Sequence, residues 1–243
     1  MQKISIQKLK WLKSLHLKKN RDKEELFIIE GEKICLEVIN NSPLDIVMIV
    51  HLSTFENRIP EHLMEKCHLA TVNQLERISA LKTPNNVIIV RNKMKAKEFN
   101  TNQKSILLEN IQDPGNLGTI IRTADWFGIR QIVCSPKCAD LYNAKTIQSS
   151  MGSFLRVSVI STELAPFIKN NKLKTGGAVL HGTSLIRNDI SKIDAVLFGN
   201  ESKGISENLR QLIDLPIKID GAGGAESLNV SAAAAIIMFE WTK

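Results

Sequence analysis

Aromatic side chains make up only 5% of the 243 residues, with a single tyrosine, too few for a row of stacking rings that grips single-stranded nucleic acid. Cysteine is scarce, four in all, which excludes a disulfide scaffold and suits a reducing compartment. The longest strongly apolar run, Ala232 to Phe239, falls far short of the roughly 20 residues that span a bilayer. The N-terminal MQKISIQKLKWLKSL also lacks the continuous apolar core of a secretory signal. A cytoplasmic protein without a membrane segment is the expectation. Neither G-x-G-x-x-G nor a phosphate-loop Gly-Lys-Ser/Thr occurs. Cys134 and Cys138 have no second Cys or His pair at zinc spacing, and the five histidines are scattered, so no metal site is expected.

What is present is a chain with 43% hydrophobic and 23% charged positions, enough to bury one substantial core or two modest ones. Its net charge of +7 and pI near 9.2 favour a polyanionic partner. Much of that excess lies in residues 1–25, where eight Lys or Arg face three Asp or Glu. Leu9, Leu12 and Leu15 there leave a one-sided pattern that suits a short amphipathic helix with lysines outside.

Strand-like runs at 26–29, 45–50, 68–72 and 87–90 alternate with helix-like stretches near 32–39, 61–66 and 74–78, which reads as a small α/β domain over residues 1–92. Residues 93–103 are polar and basic, without apolar periodicity, and read as a linker. From 104 to 243 the alternation is cleaner, with strands at 105–108, 131–134, 155–160, 177–181, 195–198 and 215–219. That pattern favours a parallel sheet covered on both faces. An alanine-rich segment from Ser227, a plausible N-cap, to Lys243 predicts a largely buried C-terminal helix.

Three glycine-containing stretches each follow a predicted strand. In Glu109–Ala124, Asp-Pro-Gly-Asn is turn chemistry, and Leu117, Ile120, Ile121 and Ala124 have helical spacing, so a loop ends at a helix carrying Arg122. In Leu197–Ile205, Gly199 leaves its strand directly and Glu201 stands at the sheet's carboxyl edge, where open α/β sheets bind ligands. In Ile219–Ser231, three glycines precede a helix and give a loop that can wrap a small ligand. Taken singly, Asn116 reads equally as a loop cap, Glu201 as a solvated charge, and Ser227 with Asn229 as helix caps.

Together and in this order, the three stretches resemble the SpoU/TrmH family of the SPOUT superfamily. These are RNA 2′-O-ribose methyltransferases that use S-adenosylmethionine (AdoMet). The first stretch is similar to the family's asparagine and arginine motif, the second to its Gly-x-Glu-x-x-Gly motif, and the third to its Glu-Ser-Leu-Asn-Val motif. Cys138 to Lys145 with Ser150-Met151-Gly152-Ser153 resembles the segment linking them. More loosely, Lys19-Asn20-Arg21 and Phe27-Ile28-Ile29-Glu30-Gly31 resemble the start of the family's substrate-binding domain, whose fold is similar to an RNA-binding ribosomal protein.

The resemblance implies an α/β C-terminal domain with a deep trefoil knot and a homodimer paired through the knotted domains. It implies AdoMet contacts at Gly199, Ile219 and Leu228; Thr183, which follows the His181 strand, is a further candidate for lining the cofactor site. It casts Arg122 as a general base or as a ligand of phosphate or oxyanion, and Asn116, Glu201, Ser227 and Asn229 as the polar wall of the site. Lys18, Lys19 and Arg21 are then the candidates for RNA phosphates. Ribosomal RNA is the expected substrate; the alternatives are transfer RNA, or a non-catalytic RNA-binding or assembly factor. Asp220 departs from the family, which usually has proline there, so this loop is expected to be less rigid.

Overall fold

The structure, a computed structural model, describes residues 2–81, 83–95, 97–185 and 189–243. Ala96, inside the expected linker, lies outside the described residues. The chain forms two compact units, Met1–Lys95 with Tyr142–Gly152, and Ala96–Leu141 with Ser153–Lys243.

The first unit is built on a five-stranded sheet. Its strands are β1 (Gln2–Lys3), β2 (Leu26–Glu30), β3 (Ile46–His51), β4 (Cys67–Leu69) and β5 (Val87–Asn92), in the order β1-β4-β3-β5-β2. β5 runs antiparallel to both β2 and β3, whereas β1, β4 and β3 are mutually parallel. The helices are α1 (Ile6–Ser14), α2 (Lys18–Glu24), α3 (Glu32–Asn41) and α4 (Val72–Ile78). α1 starts where the Ser5 hydroxyl accepts the Lys8 N–H at 3.2 Å, and it turns Leu9 and Leu12 into a core shared with Val50, Leu75, Ile78 and Val90. Lys10 and Lys13 stay outside, as the leucine spacing predicts, whereas the half-buried Lys8 places its Nζ 2.9 Å from His68 Nε2.

Two expectations shift here. Residues 61–66 form 3₁₀ turns after Pro60. The strand expected over 68–72 ends at Leu69, because Thr71 caps α4 in a reciprocal pair: its hydroxyl takes the Gln74 N–H and Gln74 Oε1 takes the Thr71 N–H.

The second unit contains a six-stranded, wholly parallel sheet. Along the chain come β6 (Ser105–Leu108), α5 (Pro114–Trp126) and β7 (Gln131–Cys134). Next is α6 (Ala144–Ser150), whose segment groups with the first unit: the Tyr142 ring meets Phe27 at 4.7 Å and its hydroxyl takes the Met94 N–H at 3.0 Å. There follow β8 (Ser158–Ser161), α7 (Leu164–Asn170), β9 (Thr175–Ser184), β10 (Ala195–Phe198), α8 (Glu207–Arg210), β11 (Leu215–Lys218) and α9 (Val230–Trp241).

The order β11-β9-β10-β6-β7-β8 puts β6, β7 and β10 in the middle, where every residue is buried. Their apolar runs are what a strand covered on both faces requires. From β6 the chain builds outward through β7 and β8, then returns to add β10 on β6's other side. That reversal makes the β6/β10 border a topological switch point, where such sheets open a crevice at their carboxyl edge.

The basic arm holds one surprise. Arg21, expected at an RNA phosphate, is only 4% exposed, and its Nη1 donates to the Leu15 carbonyl at 3.0 Å and the His16 carbonyl at 2.6 Å. It closes the chain between α1 and α2, so its charge is directed into the protein. Lys18 and Lys19 are exposed. Lys18 reaches Asp22 at 2.5 Å and Lys93 reaches it at 2.7 Å; together they hold its carboxyl down at about 2.

Arg21→Met should lower stability by roughly 1.5–3 kcal/mol, the usual contribution of bonds from a charged donor, read as a fall in the urea midpoint by circular dichroism. Lys19→Gln should leave that midpoint in place. An unchanged midpoint for Arg21→Met would remove the structural role given to Arg21.

Candidate active site

The switch point is flanked by the loops that leave β6 and β10, neighbours in register at Leu108 and Phe198. The first loop ends at Asp113, whose carboxylate takes the Gly115 N–H at 2.5 Å while Pro114 opens α5. Asp113 is therefore the cap, and Asn116 lies inside the first turn of the helix with its amide free for other work. Asn116 Nδ2 donates to Glu201 Oε1 at 3.0 Å, and Asn116 Oδ1 accepts from Asn229 Nδ2 at 3.1 Å. Three predicted site residues from three separate loops thus share one hydrogen-bonded chain.

The second loop folds tightly. Asn200 and Gly204 exchange backbone bonds at 3.1 and 2.8 Å, with Gly204 at φ +67°. Gly199 lies against that turn: a Cβ there would sit 2.3 Å from the Gly204 carbonyl carbon and 2.3 Å from the Ile205 nitrogen. No larger residue fits without moving backbone.

In the third loop, residues 220–229 are all exposed and the helix starts late. Asn229, not Ser227, caps α9: its Oδ1 accepts the Ser231 N–H at 2.9 Å and the Ser231 hydroxyl at 2.6 Å. Ser227 is exposed two residues earlier, outside the Asn116–Glu201–Asn229 chain, and has no hydrogen-bond partner among the described residues. α9 buries one side through Val230, Ala234, Ile237, Met238 and Trp241, and leaves Ile236 and Phe239 exposed. It is buried on one face only, which corrects the expectation of a largely buried helix.

Thr183 is brought close to this loop's root by an irregular strand. Between Pro216 and Ile217 the partner on β9 jumps from Gly177 to Thr183, so residues 178–182 bulge out and Thr183 pairs two residues before Ile219. Arg122 stands apart. It is exposed on α5 and has no partner among the described residues. Six residues beyond Asn116, at roughly 100° per residue, it projects about 120° away from the Asn116 face.

Several residues not singled out as site candidates support the loops. Asn110, at φ +54°, gives its N–H to the Ser135 hydroxyl at 2.9 Å and accepts that hydroxyl on Oδ1 at 3.0 Å. The half-buried Cys138 sulfur takes the Ile111 N–H at 3.3 Å. The Cys134 thiol donating to it, with the Ser135 hydroxyl and the Ile111 amide, holds the Cys138 thiol down at about 7, while its partner and burial push Cys134 up. Only the turn residues and the positive-φ tolerance of asparagine hint at this in the sequence.

The residues suit an adenosyl and methionyl ligand. Leu228 is 50% exposed and Ile219 half-buried beside loop backbone that no helix or strand uses, which offers apolar contact together with amide donors and carbonyl acceptors. Among the described residues, no group of three or more His, Cys, Asp or Glu stands close enough to hold a metal.

Residues 103–239 match the SpoU rRNA methylase family, and residues 7–89 match the MRM3-like substrate binding domain. The chain belongs to the SpoU rRNA methylase family. It is an RNA methyltransferase. Over 241 residues it is 34% identical to the 23S rRNA (guanosine(2553)-2′-O)-methyltransferase RlmP of Bacillus subtilis, covering 96% of this chain and 95% of that one. Over 145 residues it is 36% identical to the tRNA (guanosine(18)-2′-O)-methyltransferase of Thermus thermophilus, covering 56% of this chain and 72% of that enzyme. A solved TrmH-family structure from Porphyromonas gingivalis superposes with a TM-score of 0.86 at 30% identity, covering 98% of each chain. The matched residues 103–239 include all three loops described above.

Thiol alkylation tests the loop's support. Iodoacetamide should label Cys138 first, with a rate that rises through a midpoint near pH 7, because only the thiolate attacks. Buried Cys35 and Cys67, whose thiols are pushed up by burial, should stay unlabelled in the folded protein. Equal labelling of all four cysteines would contradict these thiol environments.

Proposed function

We propose that the protein methylates a ribose 2′-hydroxyl of ribosomal RNA, its first unit holding RNA and its second carrying out transfer. The observation that supports the site is the Asn116 amide joining Glu201 and Asn229 at the switch point of the sheet. Ribosomal RNA is favoured over transfer RNA because the likeness to the ribosomal enzyme runs through both units, whereas that to the tRNA enzyme covers 56% of the chain.

AdoMet, when bound, supplies an electrophilic methyl group on a sulfonium. Ile219 and Leu228 would hold it by pocket shape, Gly199 by close backbone approach, and Thr183 from the strand edge. Asn116, Glu201, Ser227 and Asn229 would orient the ribose and exclude water from its hydroxyl. A guanidinium is a poor proton acceptor and a good planar donor, so Arg122 would hold a phosphate or the developing alkoxide rather than act as a base.

Arg122 points away from Asn116 in its own chain, so we place it in the site of a second subunit. Supporting this is the apolar surface on its own helix and the helix packed on it: Trp126, 84% exposed, with Ile236 and Phe239. A homodimer covering that surface is part of the proposal. So is the family's knot, which accords with the chain passing from β10 beyond β9 to β11 and back to α9 against α5. A cytoplasmic setting fits the four free thiols.

Labelled AdoMet offered to separated ribosomal and transfer RNA should leave label in ribosomal RNA, at alkali-resistant linkages that mark 2′-O-methylation. Arg122→Ala should abolish transfer with the oligomer intact by sedimentation, and Arg122→Lys should fail too, because an ammonium cannot reproduce the planar fork. Label in transfer RNA alone would move the substrate, and full activity of Arg122→Ala would sink that residue's role. Replacing Lys18 and Lys19 by Gln should weaken RNA binding and flatten the salt dependence of log Kd by one to two counterions' worth, ~0.9 for each duplex phosphate that is no longer neutralised. An unaltered slope would take these lysines out of the interface.

A further inference from the structure

We propose that Asn200 is a positioning residue that fixes the Glu201 carboxylate for the transfer reaction, a proposal that rests on the function given above. Asn200 is the x of the Gly-x-Glu-x-x-Gly stretch, a position the motif leaves open, yet every polar atom of its side chain is committed. Asn200 Oδ1 accepts the Ser202 N–H at 3.0 Å and the Lys203 N–H at 3.1 Å, which winds the turn. Asn200 Nδ2 donates to the Asn110 carbonyl at 2.8 Å and lies 3.4 Å from Glu201 Oε2.

Glu201 is therefore bracketed, with Asn116 on one oxygen and Asn200 on the other. The first loop grips the second at both ends: Asn110 at Asn200, and the buried Glu109, whose Oε2 takes the Ser206 N–H at 2.8 Å. Asn110 is itself held by Ser135 from the end of β7. A carboxylate held by two amides cannot rotate, whereas an exposed glutamate has three free torsions and pays their entropy in each turnover.

The oxygen and the nitrogen of this amide do different things, and Asn200→Asp separates them. Aspartate keeps an acceptor for the Ser202 and Lys203 amides, so the turn survives, but it sets a second carboxylate against Glu201 and the Asn110 carbonyl. Protonation of that pair restores a donor. Paired carboxylates share a proton with a raised pKa.

Asn200→Asp should therefore lose about tenfold or more in kcat at pH 8, the effect of one bond to a charged group, with KM for AdoMet within about threefold. The loss should shrink as pH falls towards 5.5, a profile that the wild type does not share. A merely structural role would lower kcat equally at both pH values. The second readout needs no turnover: in the intact protein, hydrogen exchange of residues 109–116 should quicken several-fold in Asn200→Asp at pH 8.

Wild-type kcat at pH 8, a pH-independent loss, or wild-type exchange over 109–116 would each overturn the proposal. If the wild-type protein methylates no RNA at all, the proposed function fails on its own, and the exchange measurement alone then decides whether Asn200 couples the two loops.

Discussion

One side-chain amide ties together the carboxyl edge of the second unit's sheet. Asn116 donates to Glu201, 85 residues away in sequence, and accepts from Asn229, 113 residues away. Neither bond could form unless β6 and β10 were neighbours and their loops left the same edge of the sheet. A parallel sheet with a switch point guarantees that, because every strand there ends on one side. The apolar runs of β6, β7 and β10 thus do more than fill a core. Their burial on both faces fixes the register at Leu108 and Phe198, and the register sets the separation of two loops that must share a carboxylate.

Much of this was legible in the sequence. The βα alternation after residue 104 pointed to the parallel sheet, and the three glycine stretches to the loops, because turn chemistry and helix starts are local signals. What stayed hidden is set by distant partners. Asp113 followed by Pro114 is a legible cap, but nothing near Asn116 shows that its amide reaches Glu201, or that Asn229 both caps α9 and reaches Asn116. Ser227 is as good a cap by residue type, yet the bond to Asn116 fixes Asn229 at the helix entrance two residues later. The bulge that brings Thr183 to Ile217 is likewise a property of two strands, not of one segment.

Arg21 shows the opposite failure, where composition misleads. In a stretch with eight basic residues each looks like a phosphate ligand, yet this one directs its guanidinium at the Leu15 and His16 carbonyls. Charge counts do not separate a cation that faces water from one that closes a turn; only burial does. Lys18 and Lys19 keep their exposure. Thus the number of lysines available to a polyanion, rather than the net charge, sets the electrostatic part of binding.

The direction of Arg122 follows from helix geometry and constrains the assembly. α5 must start at Asp113 for Asn116 to reach Glu201, and six residues later the helix has turned about 600°, which leaves Arg122 and Asn116 roughly 120° apart. Had Arg122 been placed at three, four or seven residues from Asn116, one chain could aim both at the same ribose. It lies four residues from Trp126, so arginine and exposed indole share a helix face. A face that carries an unpartnered cation and a large exposed ring has the composition of an interface centre, where aromatic residues and arginine are enriched. In the proposed homodimer the arginine and the asparagine of one motif would serve two different sites. On the proposed homodimer, covering Trp126 and delivering Arg122 are a single event, which would make association of two chains a condition of catalysis and not an addition to it.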